Sequence, residues 1–280
     1  MMCEKKKEKN RRLTLVPIGG LGNRIMAITS AIDFCRKQKL RLCIYWFKDW
    51  GMGANFHDLF KLRGNDVDIK VVDAQWFHLL YDRPRKKNLW FPLLYQHFVF
   101  DTCLYEQWLA KEDNVVHMLD RLKKSNKPYL VYWSKIPGLV CDLDYLVPAK
   151  LVKKLVQEQI VSFSANTVGV HIRRTDHALA ITNSPLSWFI EKMEGEIKFN
   201  PDVKFYVASD SLIEKKKLID CFGNRIITMV KEVDRSSKQG IIEGLAEIYL
   251  LAATSKIYGS YNSSFSVIAS WFGKIPLFVK

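Results

Sequence analysis

Two adjacent arginines, Arg173 and Arg174, stand where a short apolar stretch of the chain ends. Residues 168–172 place valine and isoleucine at alternate positions, which predicts a buried strand. Open α/β sheets bind ligands outside the carboxyl ends of their strands, and an arginine fork donates two parallel hydrogen bonds to a phosphate. Structural salt bridges are the alternative, and strand alternation points the two side chains to opposite sides. We therefore expect at least one of them to bind a phosphate or sugar phosphate.

A glycine-rich turn near the start of the chain could also approach a ligand. The apolar stretch 13–18 predicts a strand, and Gly19-Gly-Leu-Gly-Asn-Arg24 follows it, before apolar residues at helical spacing. Glycines allow the backbone to come close to a ligand, and the start of a helix favours anions. The turn is not GxGxxG, so the dinucleotide pattern is not met.

Three further stretches place polar groups at the ends of predicted elements. Residues 203–210 read as a strand ending in Ser-Asp, and residues 255–266 as a strand leading into a hydroxyl-rich turn and a helix. That turn could simply cap the helix, or its hydroxyls and backbone N–H groups could converge on an anion. Residues 240–253 predict a helix on which Glu243 and Glu247 share one face, which by itself is typical of a solvated edge.

The order of these elements predicts an α/β fold. Strands and helices alternate along the chain, which is the pattern of a parallel, doubly wound sheet. A length of 280 residues accommodates two domains, and the proline-containing stretch 142–150 is the best candidate for a link. We predict domains at residues 1–147 and 148–280.

Two local predictions concern packing and capping. The aromatic-rich stretch 89–109 is too interrupted by polar residues and proline to cross a membrane. Aromatic rings stack on sugars and also suit lipid interfaces, but we expect most of these rings to lie in the core. Ser184, followed by Pro185, predicts the N-cap of a helix over residues 184–193.

Composition narrows the class of protein. Apolar residues make up 48% of the chain and charged residues 26%, as in a soluble globular protein. The six cysteines form no CxxC pair, and neither a signal peptide nor a long apolar run is visible, so we expect a cytoplasmic protein with reduced thiols. The formal charge of +14 favours anionic partners. No nucleic-acid-binding motif supports a specific nucleic-acid partner, but a basic surface could rest peripherally on the inner face of a membrane.

Four of these stretches, in the same order, resemble the fucosyltransferase superfamily that includes α1,6-, nodulation, α1,2- and protein O-fucosyltransferases. Val168-Gly-Val-His-Ile-Arg-Arg-Thr-Asp176 is similar to its donor-binding signature, and Asn262-Ser-Ser-Phe-Ser266 to that of the α1,2 enzymes. The glycine turn and the Ser-Asp strand end are weaker matches. The resemblance implies the GT-B architecture, with two Rossmann-like domains facing across a cleft, the first mainly for the acceptor and the second for the nucleotide sugar.

The same resemblance implies roles for individual residues. It places Gly20 and Asn23 beside the donor diphosphate and acceptor, with Arg24 where glutamine is usual. It assigns Glu247 to reading the base. It implies that the donor phosphates are bound by Arg173 and by the turn formed by Asn262, Ser263 and Ser264. The remaining substrate-binding candidates are His171, Arg174 and Asp210.

A base for the acceptor proton is less well defined. Asp176 ranks ahead of His177, whereas Ile181 falls near the position where related enzymes carry a glutamate. The implied reaction is inverting transfer of fucose from GDP-fucose to a glycan or lipid-linked glycan hydroxyl in cell-surface polysaccharide synthesis. It needs no metal and no cofactor beyond the donor substrate. Ile181 keeps open a catalytically impaired nucleotide- or sugar-binding protein of the same fold.

Overall fold

Parallel β-strands alternate with α-helices along both halves of the chain. The computed structural model describes residues 11–175 and 178–280. The chain divides into two units, the first ending at Val147 and the second beginning at Pro148.

The first unit is built on a five-stranded sheet with helical connections. Its strands are β1 (Arg12–Pro17), β2 (Arg41–Trp46), β3 (Phe60–Leu62), β4 (Ile69–Asp73), β5 (Thr102–Leu104), β6 (Pro128–Tyr132) and β7 (Leu146–Pro148). Its α-helices are α1 (Leu21–Gln38), α2 (Phe56–Leu59), α3 (Pro92–Val99), α4 (Glu106–Leu109) and α5 (Glu112–Lys124), with 3-10 helices at Trp76–Tyr81, Lys86–Asn88 and Leu143–Tyr145.

The strand order of this sheet creates a point where the connections change direction. The order is β4-β2-β1-β6-β5 and all of its pairs are parallel, while β3 and β7 form a separate two-stranded ladder. The apolar strand β1 is central and buried, as the sequence predicts. Since the chain moves outward from β1 in one direction and returns on the other side of it, the carboxyl ends of β1 and β6 border the usual ligand crevice.

The second unit repeats this construction with a different strand order. Its elements are α6 (Lys150–Ile160), β8 (Val168–Ile172), α7 (Ala178–Asn183), α8 (Leu186–Phe199), β9 (Phe205–Ser209), α9 (Leu212–Phe222), a 3-10 helix at Gly223–Arg225, β10 (Ile226–Ile227), α10 (Lys238–Ala252), β11 (Ile257–Gly259), α11 (Ser264–Gly273) and β12 (Leu277–Val279). The sheet order is β10-β9-β8-β11-β12, again wholly parallel. The point where the connections change direction, which we call the switch point, therefore lies between β8 and β11.

The core of the second unit explains why β8 reads as an apolar stretch. Every residue of β8 is buried, because the strand is flanked by β9 and β11 and covered by helices. Val170 and Ile172 pack with Phe189 of α8 and with Val207 of β9 in one cluster. The predicted α/β fold with parallel sheets is confirmed.

The aromatic stretch differs from the prediction. Only Phe100 among the rings of residues 89–109 is fully buried; Phe91 and Phe98 are exposed, Trp90 is more than a third exposed, and the other tyrosine and tryptophan rings are half-buried. Aromatic content does not distinguish a core ring from a surface ring, so this interpretation of the sequence was wrong. Among the described helices, none has both the length and the apolar character needed to cross a membrane.

The predicted cap of α8 is also wrong. The helix begins at Leu186, and Pro185 is its N-cap residue. The fully buried Ser184 instead accepts a hydrogen bond from the backbone N–H of Tyr261 at 2.9 Å. Its hydroxyl therefore holds the turn that follows β11.

Candidate functional site

The ends of β8 and β11 are joined by one serine at the switch point of the second sheet. The Ser260 hydroxyl accepts the backbone N–H of Arg173 at 2.9 Å and lies 3.2 Å from the carbonyl oxygen of His171, to which it donates. The backbone N–H of Ser260 donates to the same carbonyl at 3.0 Å. Ser260 is fully buried, so these bonds fix the point where Arg173 leaves the strand.

A carboxylate at the end of the neighbouring strand holds the next residues of the turn. Asp210 follows β9 and accepts hydrogen bonds from the backbone N–H of Arg174 at 2.7 Å and from the Thr175 hydroxyl at 2.8 Å. Arg235 donates to it at 2.9 Å. Burial by itself would raise the pKa of Asp210, but these hydrogen bonds and the charges of Arg173 and Arg235 lower it, so the group is ionised at neutral pH.

The two adjacent arginines have different surroundings. Arg173 lies with its Nε 4.0 Å from Asp210 and is partly exposed. The Arg174 side chain is more buried; its Nε lies 3.7 Å from Glu214, and its Nη1 donates to the carbonyl of Arg173 at 3.0 Å. Arg173 and Arg235 thus place two guanidiniums beside one carboxylate at the strand ends. Arg174 braces the turn against α9.

His171 is part of the packing around this turn. It is buried and stacks on Phe265 of α11, with the ring centroids 4.7 Å apart and the planes at 16°. Burial lowers the pKa of His171 to about 3; the charge of Asp210 opposes this shift, and the charges of Arg173 and Arg235 reinforce it. At neutral pH the ring is therefore uncharged, and its contact with Phe265 fixes the start of α11 relative to β8.

The hydroxyl-rich turn lies at the start of α11. Asn262 is exposed and has a φ of 50°, in the left-handed region that asparagine tolerates better than most residues. Ser263 is the N-cap residue, yet within the described part of the chain its hydroxyl makes no capping bond. By contrast, Ser237 caps α10 by accepting the N–H of Gly240 at 3.0 Å. The first turn of α11 thus keeps backbone donors that Ser263 does not use, and Ser264 is its first residue.

A shallow pocket, partly open to solvent, lies beside α10 in the same unit, with Lys215, Met229, Lys231, Glu243 and Glu247 among its lining residues. Glu247 and Lys215 form a buried ion pair at 3.2 Å, and Lys215 also donates to the carbonyl of Met229 at 3.0 Å. Burial raises the pKa of Glu247, which Lys215 opposes and the nearby charge of Asp210 reinforces. The pocket therefore has carboxylates on a wall that is largely shielded from water. Glu247 lies close enough to Asp210 for their charges to interact.

The first unit contains the glycine turn. Gly19 has a φ of 81°, and Gly20 is the N-cap residue of α1 without a side chain to cap it. A Cβ added at Gly19 would come within 2.9 Å of the Asn23 amide nitrogen, so Asn23 lies over the turn. Gly20 and Asn23, the two residues predicted here, therefore both lie where β1 ends.

Arg24, by contrast, is buried and structural. Its Nε donates to the carbonyl of Gly19 at 2.9 Å, its Nη1 to that of Phe47 at 2.7 Å and its Nη2 to Asp49 at 2.8 Å. It also lies 4.7 Å from the centroid of the Trp46 ring. Burial lowers its pKa to about 10, which still leaves it charged. Arg24 therefore ties the end of β1 to the end of β2.

Most of the predicted residues belong to the second unit: His171, Arg173, Arg174, Asp210, Glu247, Asn262, Ser263 and Ser264. Gly20 and Asn23 belong to the first unit. Asp176 and His177 lie outside the described residues. Ile181 is in α7 and is exposed.

Three contributors were missed by sequence reasoning. Ser260 directly follows β11, as Arg173 follows β8, so its position at a strand end was a usable signal. Arg235 and Lys215 gave no such signal, because a lysine on a helix and an arginine in a loop are ordinary surface residues. Their roles depend on partners that are distant in sequence.

Comparison with known proteins was informative only at the level of structure. Neither a protein-family model nor a curated protein sequence matches the chain. NodZ α-1,6-fucosyltransferase soaked with GDP-fucose is similar with a TM-score of 0.64 and 13% identity, over 94% of this chain and 92% of that one. NodZ from Bradyrhizobium, in a further structure, gives 0.62 and 14%, over 92% of each chain.

Two other structures agree with this result. A mutant of Arabidopsis thaliana FUT1 in complex with GDP has a TM-score of 0.61 and 16% identity, over all of this chain and 74% of that one. POFUT1 in complex with GDP has a TM-score of 0.57 and 12% identity, over 96% and 98%. The chain thus has the fold shared by these fucosyltransferases, and the resemblance predicted from the motifs is confirmed at the level of the fold.

Proposed function

We propose that the protein is an inverting glycosyltransferase that moves fucose from GDP-fucose to a hydroxyl of a glycan or lipid-linked glycan, in the synthesis of cell-surface polysaccharide. The proposal includes the GT-B arrangement, with the nucleotide sugar bound by the second unit and the acceptor by the first. Support comes from the shared fold and from similar structures that contain GDP-fucose or GDP. The donor is the only small molecule that the reaction needs, and no metal is required.

One observation carries the proposal: Ser260 holds the backbone N–H of Arg173 at the switch point, and the Arg173 guanidinium lies beside Asp210. This is the position where parallel sheets bind ligands. Breaking a glycosyl–phosphate bond builds negative charge on the departing diphosphate. A guanidinium that is already fixed there stabilises that charge without reorganising, which is typically worth about 3–4 kcal/mol.

The start of α11 would share this work. Ser263 and Ser264 lead into a helix whose first N–H groups favour an anion. In the neighbouring pocket, the Glu247 carboxylate is suited to a base with adjacent N–H donors, as guanine has. Asp176 remains our candidate base for the acceptor proton, ahead of His177.

The first test combines ligand binding with turnover. We expect GDP and GDP-fucose to raise the melting temperature of the protein, while UDP-sugars do not, and GDP-fucose to be consumed when a suitable glycan is added. Arg173→Gln should lower the turnover number about 10²–10³-fold, the loss typical for one preorganised donor. Lys216→Gln in α9 removes an exposed positive charge from the same unit and should leave turnover unchanged.

The outcomes separate the alternatives. Tight GDP binding without consumption of GDP-fucose favours an impaired nucleotide-binding protein, the alternative suggested by Ile181. Indifference to GDP, with an affinity for nucleic acid that falls steeply with salt, favours a basic nucleic-acid-binding protein. Full turnover in Arg173→Gln removes the observation on which the mechanism rests.

A further inference from the structure

The first unit carries an exposed apolar surface on α3 and the residues leading into it. Phe91, Leu94 and Phe98 lie at helical spacings of three and four, so they form one stripe, and they are 65%, 84% and 90% exposed. Leu89 and Trp90 precede the helix, and Leu89 is 85% exposed. We call these five residues the outer face. An ordered apolar stripe of this kind usually marks a contact surface.

The opposite side of α3 is held by polar groups. Gln96 is fully buried and donates to the carbonyls of Leu80 and Asp82 at 2.9 and 2.7 Å. Asp82, itself buried, accepts from Arg85 at 2.7 Å. The helix is therefore held on its inner side by these hydrogen bonds and by the packing of Val99 against the core, while the stripe faces outward. An ordinary surface helix presents apolar residues to the core and polar residues to solvent, so an outward apolar stripe on this helix is unusual.

The backbone before α3 adds a second observation. Leu89 and Trp90 have φ values of 50° and 58°, in the left-handed region that bulky residues rarely adopt. Such conformations cost free energy, persist only where the surrounding structure imposes them, and concentrate at functional surfaces. Here they place two large apolar side chains next to the stripe, so the fold maintains the outer face at a cost.

The charge of this segment indicates what covers it. Lys86 and Lys87 are exposed immediately before Leu89. In residues 74–100 the only carboxylate is Asp82, which is buried and paired with Arg85. Within residues 74–100 the exposed charges, which form the rim of this segment, are therefore all basic. A second copy of the chain would bring one basic rim against another, whereas an anionic surface would complement it.

We propose that the outer face docks on an anionic lipid bilayer, lying in the headgroup region without crossing the membrane. Leucine, phenylalanine and tryptophan beside lysine are the composition of segments that bind at this interface. The proposal does not depend on the transferase activity. If membrane docking and that activity hold together, the unit proposed to bind the acceptor is the one brought to lipid-linked glycans.

The test measures binding of the full chain to vesicles. We compare vesicles of one part phosphatidylglycerol to two parts phosphatidylcholine with vesicles of phosphatidylcholine alone. The wild type should bind the anionic vesicles more tightly, and Leu94→Glu with Phe98→Glu should weaken that binding at least tenfold. Lys86→Gln with Lys87→Gln should weaken it about fivefold for each lysine, since one basic residue near such a surface contributes about that factor.

A matched control makes the same chemical change elsewhere. Phe199 and Val161, in the second unit, are 90% and 82% exposed, so Phe199→Glu with Val161→Glu alters similarly exposed apolar residues. This variant should bind vesicles like the wild type. Melting-temperature shifts with GDP, measured without vesicles, should be unchanged in every variant, which keeps this test separate from that of the transferase.

Several results would overturn the proposal. One is a wild-type protein that does not bind anionic vesicles. Another is a double variant at Leu94 and Phe98 that binds them as tightly as the wild type. Loss of binding only when Lys5, Lys6 and Lys7 are replaced by glutamine would assign the contact to the basic N-terminal stretch. A wild-type dimer that the double variant converts to a monomer would make the outer face a contact between copies.

Discussion

At the scale of single residues, Arg173 depends on two side chains that take no part in the proposed chemistry. Ser260 fixes its backbone N–H, and Asp210 fixes the N–H of Arg174 and lies beside the Arg173 guanidinium. A site that must bind a diphosphate benefits from such bracing, because a preset charge loses little freedom when the ligand arrives. The two adjacent arginines have different roles: Arg174 pairs with Glu214, whereas Arg173 is the one proposed to bind the diphosphate.

His171 gives a prediction about pH. Its pKa is lowered to about 3 in the folded protein by burial, against 6.5 as its ordinary value. Between these values the unfolded chain binds more protons, so the unfolding free energy falls as the pH drops from 6.5 towards 3. By pH 4.5 this one group should have removed about 2–3 kcal/mol relative to pH 7. The loss should shrink markedly in His171→Gln, as measured by urea unfolding at both pH values.

The same measurement has an internal control. His117 is exposed on α5, so His117→Gln should keep the wild-type dependence on pH. Asp210, whose pKa is lowered from its ordinary value of 3.8, affects stability mainly below pH 4.5, outside the range compared here. A His171→Gln variant with the full wild-type loss would show that the buried ring is not responsible.

At the scale of elements, α10 shapes the pocket through two glycines, which carry no side chain. A Cβ on Gly240 would come within 1.8 Å of the Asp234 carbonyl oxygen, so that glycine permits a close approach of the preceding loop. Gly244 lines the pocket, and a Cβ there would meet no described atom within 4 Å. Any side chain added at Gly244 would therefore occupy the pocket itself.

This arrangement predicts opposite effects on stability and binding. Gly244→Ala should raise the unfolding free energy by up to about 1 kcal/mol, because alanine is the better helix former. It should also weaken GDP binding about tenfold or more, since the methyl group competes with the base for space. Urea unfolding measures the first effect, and calorimetric titration with GDP the second.

Gly195 in α8 supplies the matched variant. A Cβ there also meets no described atom within 4 Å, and the residue is exposed. Gly195→Ala should give a similar gain in stability without altering GDP affinity. Wild-type affinity in Gly244→Ala would place the base outside this pocket.

At the scale of the whole molecule, the two units are built alike, but most of the predicted contacts with the nucleotide lie in the second unit. Each has a five-stranded parallel sheet, and the second contains the anchored arginines, the turn before α11 and the pocket beside α10. Nucleotide binding should therefore be unevenly distributed over the chain, which hydrogen exchange can resolve.

We expect GDP to slow amide exchange at residues 168–175, 240–247 and 257–264, because ordering these turns suppresses local opening. Strands β2 and β4 of the first unit should exchange as they do without nucleotide. UDP at the same concentration should protect none of these segments. Protection by GDP confined to the first unit would contradict the proposed location of the donor.

How far the sequence could be interpreted depends on how local each signal is. The alternation of strands and helices, the apolar β8 and the glycine turn after β1 were predictable, because periodicity and turn chemistry act over a few residues. The position of Ser184 was not, because a serine before proline resembles a helix cap until a distant turn claims its hydroxyl. The rings of α3 were misjudged for a similar reason: exposure depends on which side of the helix Gln96 anchors.

By itself, therefore, the sequence determined the α/β class, the strand ends that carry polar groups and the resemblance to fucosyltransferases. Only the tertiary structure decided which of those groups act together. It paired Lys215 with Glu247, set Arg235 beside Asp210 and joined Arg173 to Ser260 across 87 residues of chain. The physical reason is that strand order brings together ends that are far apart in sequence, and a hydrogen bond or ion pair depends on distances that residue spacing does not encode.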